Sequence, residues 1–202
     1  MIDDAGVETV IEELLDGWVG GLPDRAHGLR CARHAASLFE GLSGVLELKP
    51  ERRRLAIAAA LFHDVGYLRS FHDHHRKVFD ILRDVGLPGL IASETLIVAC
   101  AARYHGGPYP NIEHAGFGEM TSEDQRVVRR LAALTRVAAA LDASHMGVVE
   151  RVRAHAGATG ASVVAFATHE APVESDRLRE AEGAFLALTR TPLITSVVTA
   201  SD

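Results

Sequence analysis

The sequence predicts a mainly α-helical bundle closed by a small β-α-β tail. Two observations carry this. Apolar residues recur at helical spacing through the first three quarters of the chain, interrupted by glycine and proline. After Gly160 the pattern changes to β-branched apolar runs, ASVVAFAT and LITSVVT, flanking one amphipathic stretch. The 202 residues, 48% hydrophobic and 24% charged, suit one globular domain with a real core.

The elements follow in order. A first helix spans about Asp4 to Trp18 and breaks at Gly20 and Gly21. Asp24 is the predicted N-cap of a second, which carries Ala26 to Leu42. Pro50 and Glu51 open a third, with Leu55, Ala58, Ala59 and Phe62 as its apolar stripe. A fourth covers His74 to Val85 and stops at Gly86 and Pro88, and a fifth runs from Pro88 or Gly89 to Arg103. GGPYPNIEHAGFGEMT reads as loop. Ser122, followed by Asp124 and Gln125, starts a long helix reaching about Ala143. In the tail, strands over Ala161–Thr168 and Leu193–Thr199 flank a helix over Pro172–Thr191, with Leu178, Ala181, Phe185 and Leu188 on one face. A tail of this size does not fold alone. The expected division is a helical body over residues 1–155 and an extension over 156–202 packed on it.

Net charge is −6, which disfavours non-specific nucleic-acid binding. The acidic N-terminus MIDDAGVETVIEELL lacks the basic and apolar segments of a secretory signal. The longest apolar runs, such as LIVACAA, fall short of the roughly 20 residues of a membrane span. A cytoplasmic protein with neither nucleic-acid nor membrane partner is expected, and an alanine-rich helix face is compatible with a homodimer. Cys31 and Cys100 lie in apolar helical stretches and read as buried, reduced thiols.

The chemistry concentrates in LFHDVGYLRSFHDHHRK, residues 61–77, which holds four of the eleven histidines. Mixed imidazole and carboxylate donors from several elements, meeting at one point, are what hard or borderline divalent ions take. His63 and Asp64 supply one of each, about 100° apart on a helix. Alone the pair is a weak signal. Its company is His27-Gly-Leu-Arg30 upstream, then His75, Arg103-Tyr104-His105, and a stretch from Arg136 through Leu141-Asp142 to His145.

This order resembles the HD superfamily of metal-dependent phosphohydrolases. More closely, it is similar to the helical HD-like domain at the C-terminal end of the exopolyphosphatase and guanosine pentaphosphate phosphatase family. FHDVGY, His75 ahead of a helix ending in DIL, Glu94 through RYH, RLAALTRVAAALD and ESDRLREAEGAF fit that domain's layout over about residues 20 to 200. The full-length enzymes carry an actin-like catalytic core upstream, so the chain looks like a stand-alone version of the helical module. The resemblance implies an HD-domain bundle, with His27, His63 and Asp64 as ligands of a first metal and His75 and His105 as ligands of a second. It also implies divalent cofactors, with Mn, Fe, Mg and Zn all open. The family pattern near the end is Arg-x-Ala-Asp-x-Leu-Asp, and here Ala139 replaces its first aspartate while Asp142 survives.

With metal bound, Asp64 or Asp142 is the expected proton acceptor. Arg30, Arg69, Arg76 or Arg103 are expected to clamp phosphate oxygens, with Tyr104 lining the cleft. The expected function is hydrolysis of a phosphoester or phosphoanhydride in a nucleotide or other phosphorylated small molecule. The alternative is a non-catalytic regulatory module for a phosphorylated ligand or polyphosphate. Ala139 favours the alternative, and the intact His63-Asp64 pair opposes it. His34 rivals His27 as first ligand. His72 and His74 read as solvated loop residues, and His155 and His169 as surface residues of the tail region. His114 suits a lid or a plain surface position, and His145 lies near the site or caps the helix. Glu94 reads as a structural salt-bridge partner, and Arg52 to Arg54 as a solvated face.

Overall fold

Asp24 starts the helix that carries the first candidate ligand, its carboxylate accepting the His27 backbone N–H at 3.0 Å. That helix, α2 (Arg25–Leu42), follows α1 (Asp4–Leu15) in the computed structural model, which describes residues 4–199. The first three and last three residues, in the acidic N-terminus and the end of the tail, lie outside the described residues. A 3-10 turn at Pro50–Arg52 leads into α3 (Arg53–Phe62), and a second, Val65–Leu68, precedes α4 (His74–Val85). Then come α5 (Ala92–Arg103) and α6 (Ser122–Ala140), the latter capped by Thr121.

Several predicted boundaries shift: α3 begins at Arg53 after the 3-10 turn, α6 ends at Ala140, and two others move for local reasons. The first helix stops at Leu15 because Gly17 turns left-handed (φ 79°), and Trp18 folds back onto Phe62. The fifth begins at Ala92 rather than Pro88 or Gly89, since Gly89 is also left-handed (φ 69°). Glu94, expected as a salt-bridge partner, makes no ion pair among the described residues and instead turns back to accept the Ile91 N–H at 3.2 Å. Arg53 and Arg54 pair with Glu40 and Glu13.

α3 is the centre of the body. Leu55 to Phe62 are all buried, among α2, α5 and α6. Gly28 on α2 fixes the closest approach: a Cβ there would stand 2.8 Å from the backbone oxygen of Leu61. This contact brings the His27 end of α2 against the His63 end of α3. Gly66 acts similarly, since a Cβ would meet the His74 carbonyl oxygen at 2.0 Å and push the start of α4 away.

The tail holds one strand that the pattern did not predict. β1 (Val149–Gly157) forms an antiparallel hairpin with β2 (Gly160–Ala167). α7 (Pro172–Thr189) then crosses to β3 (Leu193–Thr199), which runs parallel to β2. The sheet order is β1-β2-β3, and the expected boundary between residues 155 and 156 falls inside β1. Ala161, Val163, Ala165 and Ala167 of β2 are buried, and α7 packs Leu178, Ala181, Phe185 and Leu188 inward, against α6 and β3. The fold is therefore mainly α with a small sheet, as predicted. Cys31 and Cys100 are buried free thiols. No helix among the described residues is long and apolar enough to cross a membrane.

Candidate metal centre

Several helix ends converge on one cleft of about 430 Å³. The first turn of α2 supplies His27. The turn after α3 supplies His63 and Asp64, the end of α5 His105, the first turn of α4 His74 and His75, and the turn after α6 His145.

Hydrogen bonds on the outer ring nitrogens decide how the imidazoles face inward. His63 Nδ1 lies 2.8 Å from the Ala60 carbonyl oxygen, and His105 Nδ1 lies 2.6 Å from that of Ala102. His27 Nδ1 lies 2.7 Å from Asp142 Oδ2. Carbonyl and carboxylate oxygens only accept, so each Nδ1 carries a hydrogen, and in a neutral ring Nε2 then presents the lone pair. Burial pushes the pKa of His63 down and that of His105 well down, which keeps both rings neutral.

Those lone pairs meet. His27 Nε2 and His63 Nε2 are 3.2 Å apart. Asp64 Oδ1 is 3.4 Å from His63 Nε2 and 3.6 Å from His105 Nε2, and Asp64 Oδ2 is 3.7 Å from His27 Nε2. His63, Asp64 and His105 thus place one donor atom each within 4.8 Å of one another, with His27 Nε2 beside them. This donor set fits a divalent cation. A neighbouring trio, His74, His75 and His105, also brings three ring nitrogens within 4.8 Å of one another. Burial lowers the His75 pKa to about 4, and its Nδ1 has no hydrogen-bond partner. His27, Asp64 and His145 form a further trio, with His145 stacked on His27 at 3.7 Å between ring centroids. Cys31 lies 3.6 Å from His27 Nε2, but burial pushes its thiol pKa far up, so it packs as a thiol.

The cleft brings together His27, His63, Asp64, His75 and His105. Asp142 is not on its wall. It is fully buried behind His27, with Oδ2 accepting from His27 Nδ1 and from Arg30 Nε (2.8 Å) and Oδ1 accepting the Gly147 N–H (2.9 Å). Burial raises its pKa, but these three hydrogen bonds outweigh that and hold it below the ordinary aspartate range. The expectation that Asp142 exchanges protons with substrate is corrected: it faces His27.

The residues expected around a substrate are likewise placed elsewhere. Arg30 is turned onto Asp142 and the His145 carbonyl. Arg103 lies over the rings of Phe79 and Tyr104. Tyr104 is buried, its hydroxyl pairs with His114 Nδ1 at 2.8 Å, and burial lifts its pKa to about 12. Arg69 and Arg76 are exposed and off the cleft wall. His34 is buried on another face of α2, away from this cleft.

Other residues stand in their place. Arg136 lines the cleft, donating to the carbonyls of Tyr104 (2.7 Å), Gly107 (3.2 Å) and Pro108 (3.3 Å). Arg177 and Glu180 of α7 also line it, paired with each other at 2.7 Å. His74 also faces the cleft, stacked on Tyr67 at 3.9 Å, which corrects its reading as a solvated loop residue. Two sequence signals pointed there. Arg136 lies three residues before Ala139 on one face of α6, and His74 adjoins His75 in a first helical turn. Ala139 itself lines the cleft, so a methyl group faces the histidines.

A family model described as Ppx/GppA phosphatase, domain III, matches residues 23–170, well over half of the chain. No curated protein matches it.

Proposed function

The chain belongs to the Ppx/GppA phosphatase domain III family, and from that premise we propose that it is a metal-dependent phosphohydrolase of the HD type. Its substrate is a nucleotide or other phosphorylated small molecule. The observation that carries this reading is the inward-facing set of His27, His63 and His105 Nε2 lone pairs around the Asp64 carboxylate.

His63, Asp64 and His105 would hold a divalent ion, with His27 and His145 sharing Asp64 on its other side and His74 and His75 extending the donor set from His105. A bound ion supplies a water acidified to a pKa of about 7 and offsets phosphoryl charge. The chain's own residues do the rest. Asp142 positions His27 through Nδ1, and Arg30 and Gly147 hold Asp142. Arg136 and Arg177 place guanidinium charge on the walls, suited to phosphate oxygens. Asp64 is the carboxylate placed to take a proton from an attacking water.

The test is elemental analysis of purified protein, with Mn, Fe, Mg and Zn added back, and hydrolysis assays on nucleotides, pyrophosphate and p-nitrophenyl phosphate. Bound metal with hydrolysis, both lost in Asp64→Ala, is the expected result. Protein that stays metal-free and inert with every ion added sinks the reading. A second reading, a non-catalytic binding module, is favoured by one observation: Ala139 presents no carboxylate to the cleft. Binding of a phosphorylated ligand without turnover, unchanged in Asp64→Ala, would decide for it.

A further inference from the structure

The loop over residues 142–147, between α6 and β1, is pinned by hydrogen bonds. The His145 N–H donates to the Asp142 carbonyl, the Ser144 N–H to the buried Glu174 carboxylate and the Gly147 N–H to the Asp142 carboxylate, each at 2.9 Å. Arg30 Nη2 donates to the His145 carbonyl at 2.9 Å. Within this loop His145 takes a left-handed backbone (φ 60°), uncommon for a residue with a side chain. Such conformations persist where the surroundings impose them, and they gather at functional sites. Held in this way, the His145 ring lines the metal cleft and stacks on His27, 3.7 Å between centroids and 12° from parallel.

The ring is also oriented as a ligand is. Its Nδ1 lies 2.9 Å from Asp24 Oδ2, much as His27 Nδ1 lies 2.7 Å from Asp142 Oδ2. A histidine that binds metal almost always donates its other N–H to an oxygen of this kind, which fixes the ring and strengthens the free nitrogen as a donor. A neutral His145 then keeps Nε2 for an ion. A ring nitrogen of His145 stands within 4.8 Å of one donor atom on His27 and one on Asp64. Asp24 thereby serves both neighbours: Oδ1 caps α2 at the His27 N–H, and Oδ2 holds His145.

The cleft is poor in free oxygen donors. Six histidines line it against two carboxylates, Asp64 and Glu180. Glu180 is paired with Arg177 at 2.7 Å, and Ala139 offers only a methyl group. Imidazole suits zinc and iron, whereas Mg²⁺ and Ca²⁺ take oxygen. We propose that His145 is a metal ligand, sharing an ion with His27 and Asp64, and that the nitrogen-rich set it completes selects Zn²⁺ or Fe²⁺ over Mg²⁺. This rests on the metal-binding half of the phosphohydrolase reading and not on hydrolysis.

The test uses the full chain, freed of metal and titrated with Zn²⁺ or Mg²⁺. Calorimetry should show Zn²⁺ binding at least about a hundredfold more tightly than Mg²⁺. Imidazole ¹⁵N resonances of His145 and His27 should shift together as Zn²⁺ binds, and neither should move with Mg²⁺ at the same concentration. His145→Asn tolerates the left-handed backbone and can still meet Asp24, so it removes the imidazole and keeps the loop. It should lower Zn²⁺ affinity about tenfold or more and leave the melting temperature of the metal-free protein near that of the wild type. Should that variant unfold, the wild-type ¹⁵N shifts decide alone. A His145 ring that stays silent while Zn²⁺ binds, or a folded Asn variant with wild-type Zn²⁺ affinity, overturns the ligand and leaves the phosphohydrolase reading standing. Mg²⁺ binding as tightly as Zn²⁺ overturns the selection, and a wild type that binds neither ion overturns the whole inference. Binding is read without substrate, so failure of the hydrolytic reading leaves these results unchanged.

Discussion

The Nε2 atoms of His27 and His63 stand 3.2 Å apart, and each ring's Nδ1 is held by an acceptor oxygen, which in neutral rings leaves both Nε2 atoms with lone pairs. Two lone pairs at that distance repel unless a cation lies close to both. Adding Mn²⁺ or Zn²⁺ to metal-free protein should therefore raise its melting temperature. The gain corresponds to about 2.7 kcal/mol when the ion is at a hundred times its Kd. Asp64→Ala should abolish it and a chelator reverse it. Identical melting curves with and without every ion tested would count against a cation at this focus.

Asp142→Asn keeps the shape but removes the charge that three hydrogen bonds stabilise. Metal affinity should drop 10- to 100-fold, the usual effect of losing a ligand's supporting partner. Because the folded carboxyl titrates below its ordinary range, its contribution to stability is present above the unfolded aspartate pKa. It is lost as pH falls through the lower folded value. Denaturant melts in that acid range should differ between wild type and variant less than melts at neutral pH.

His34 predicts an acid-sensitive fold. In the unfolded chain an imidazole takes up its proton near pH 6.5, and in the folded protein burial delays this to about 4. Between those values the unfolded state binds more protons, so stability falls as pH drops from about 6.5 towards 4. For this nearly buried ring the loss is of order 3 kcal/mol. His34→Leu should flatten that acid arm in melts taken at pH 7, 6, 5 and 4, and an unchanged slope would refute it.

Gly28→Ala tests the contact that brings the two ligand helices together. The new methyl meets the Leu61 backbone oxygen, which has no room to yield. Overpacking of this kind costs about 1–3 kcal/mol. Metal affinity should fall with stability, because separating α2 from α3 separates His27 from His63. A variant less stable yet with wild-type metal affinity would show the contact to be structural alone.

Ala139→Asp returns a carboxylate to the cleft wall. With Ala139 facing the histidines, divalent-ion affinity should rise, by about tenfold for one added charged ligand on the scale of other ion contacts. Unchanged affinity would mean that position 139 does not address the metal.

Much of the fold was legible because its signals are local. The Asp24 cap, the Pro50 start, the Gly86 stop and the alanine-rich stripe of α3 each depend on neighbours within a turn. β1 was hidden for an equally local reason. Its register shifts between Val149 and Arg151, so the bulge at Glu150 breaks the two-residue alternation that marks a strand. The donor residues that the cleft collects were legible in type and order. The roles of Arg30, Asp142, Arg103 and Tyr104 were not, since each side chain turns toward a partner that only packing supplies.

By itself the amino-acid order settled which stretches are helical, and that imidazoles and a carboxylate cluster near the helix ends. Only the tertiary structure decided that His27 and Asp142, 115 residues apart, share a hydrogen bond, and that Arg136 rather than Arg103 lines the cleft. The physical reason is range. A helix is closed by bonds four residues long, whereas the direction of a side chain at its end is set by whichever distant element the core packs against it.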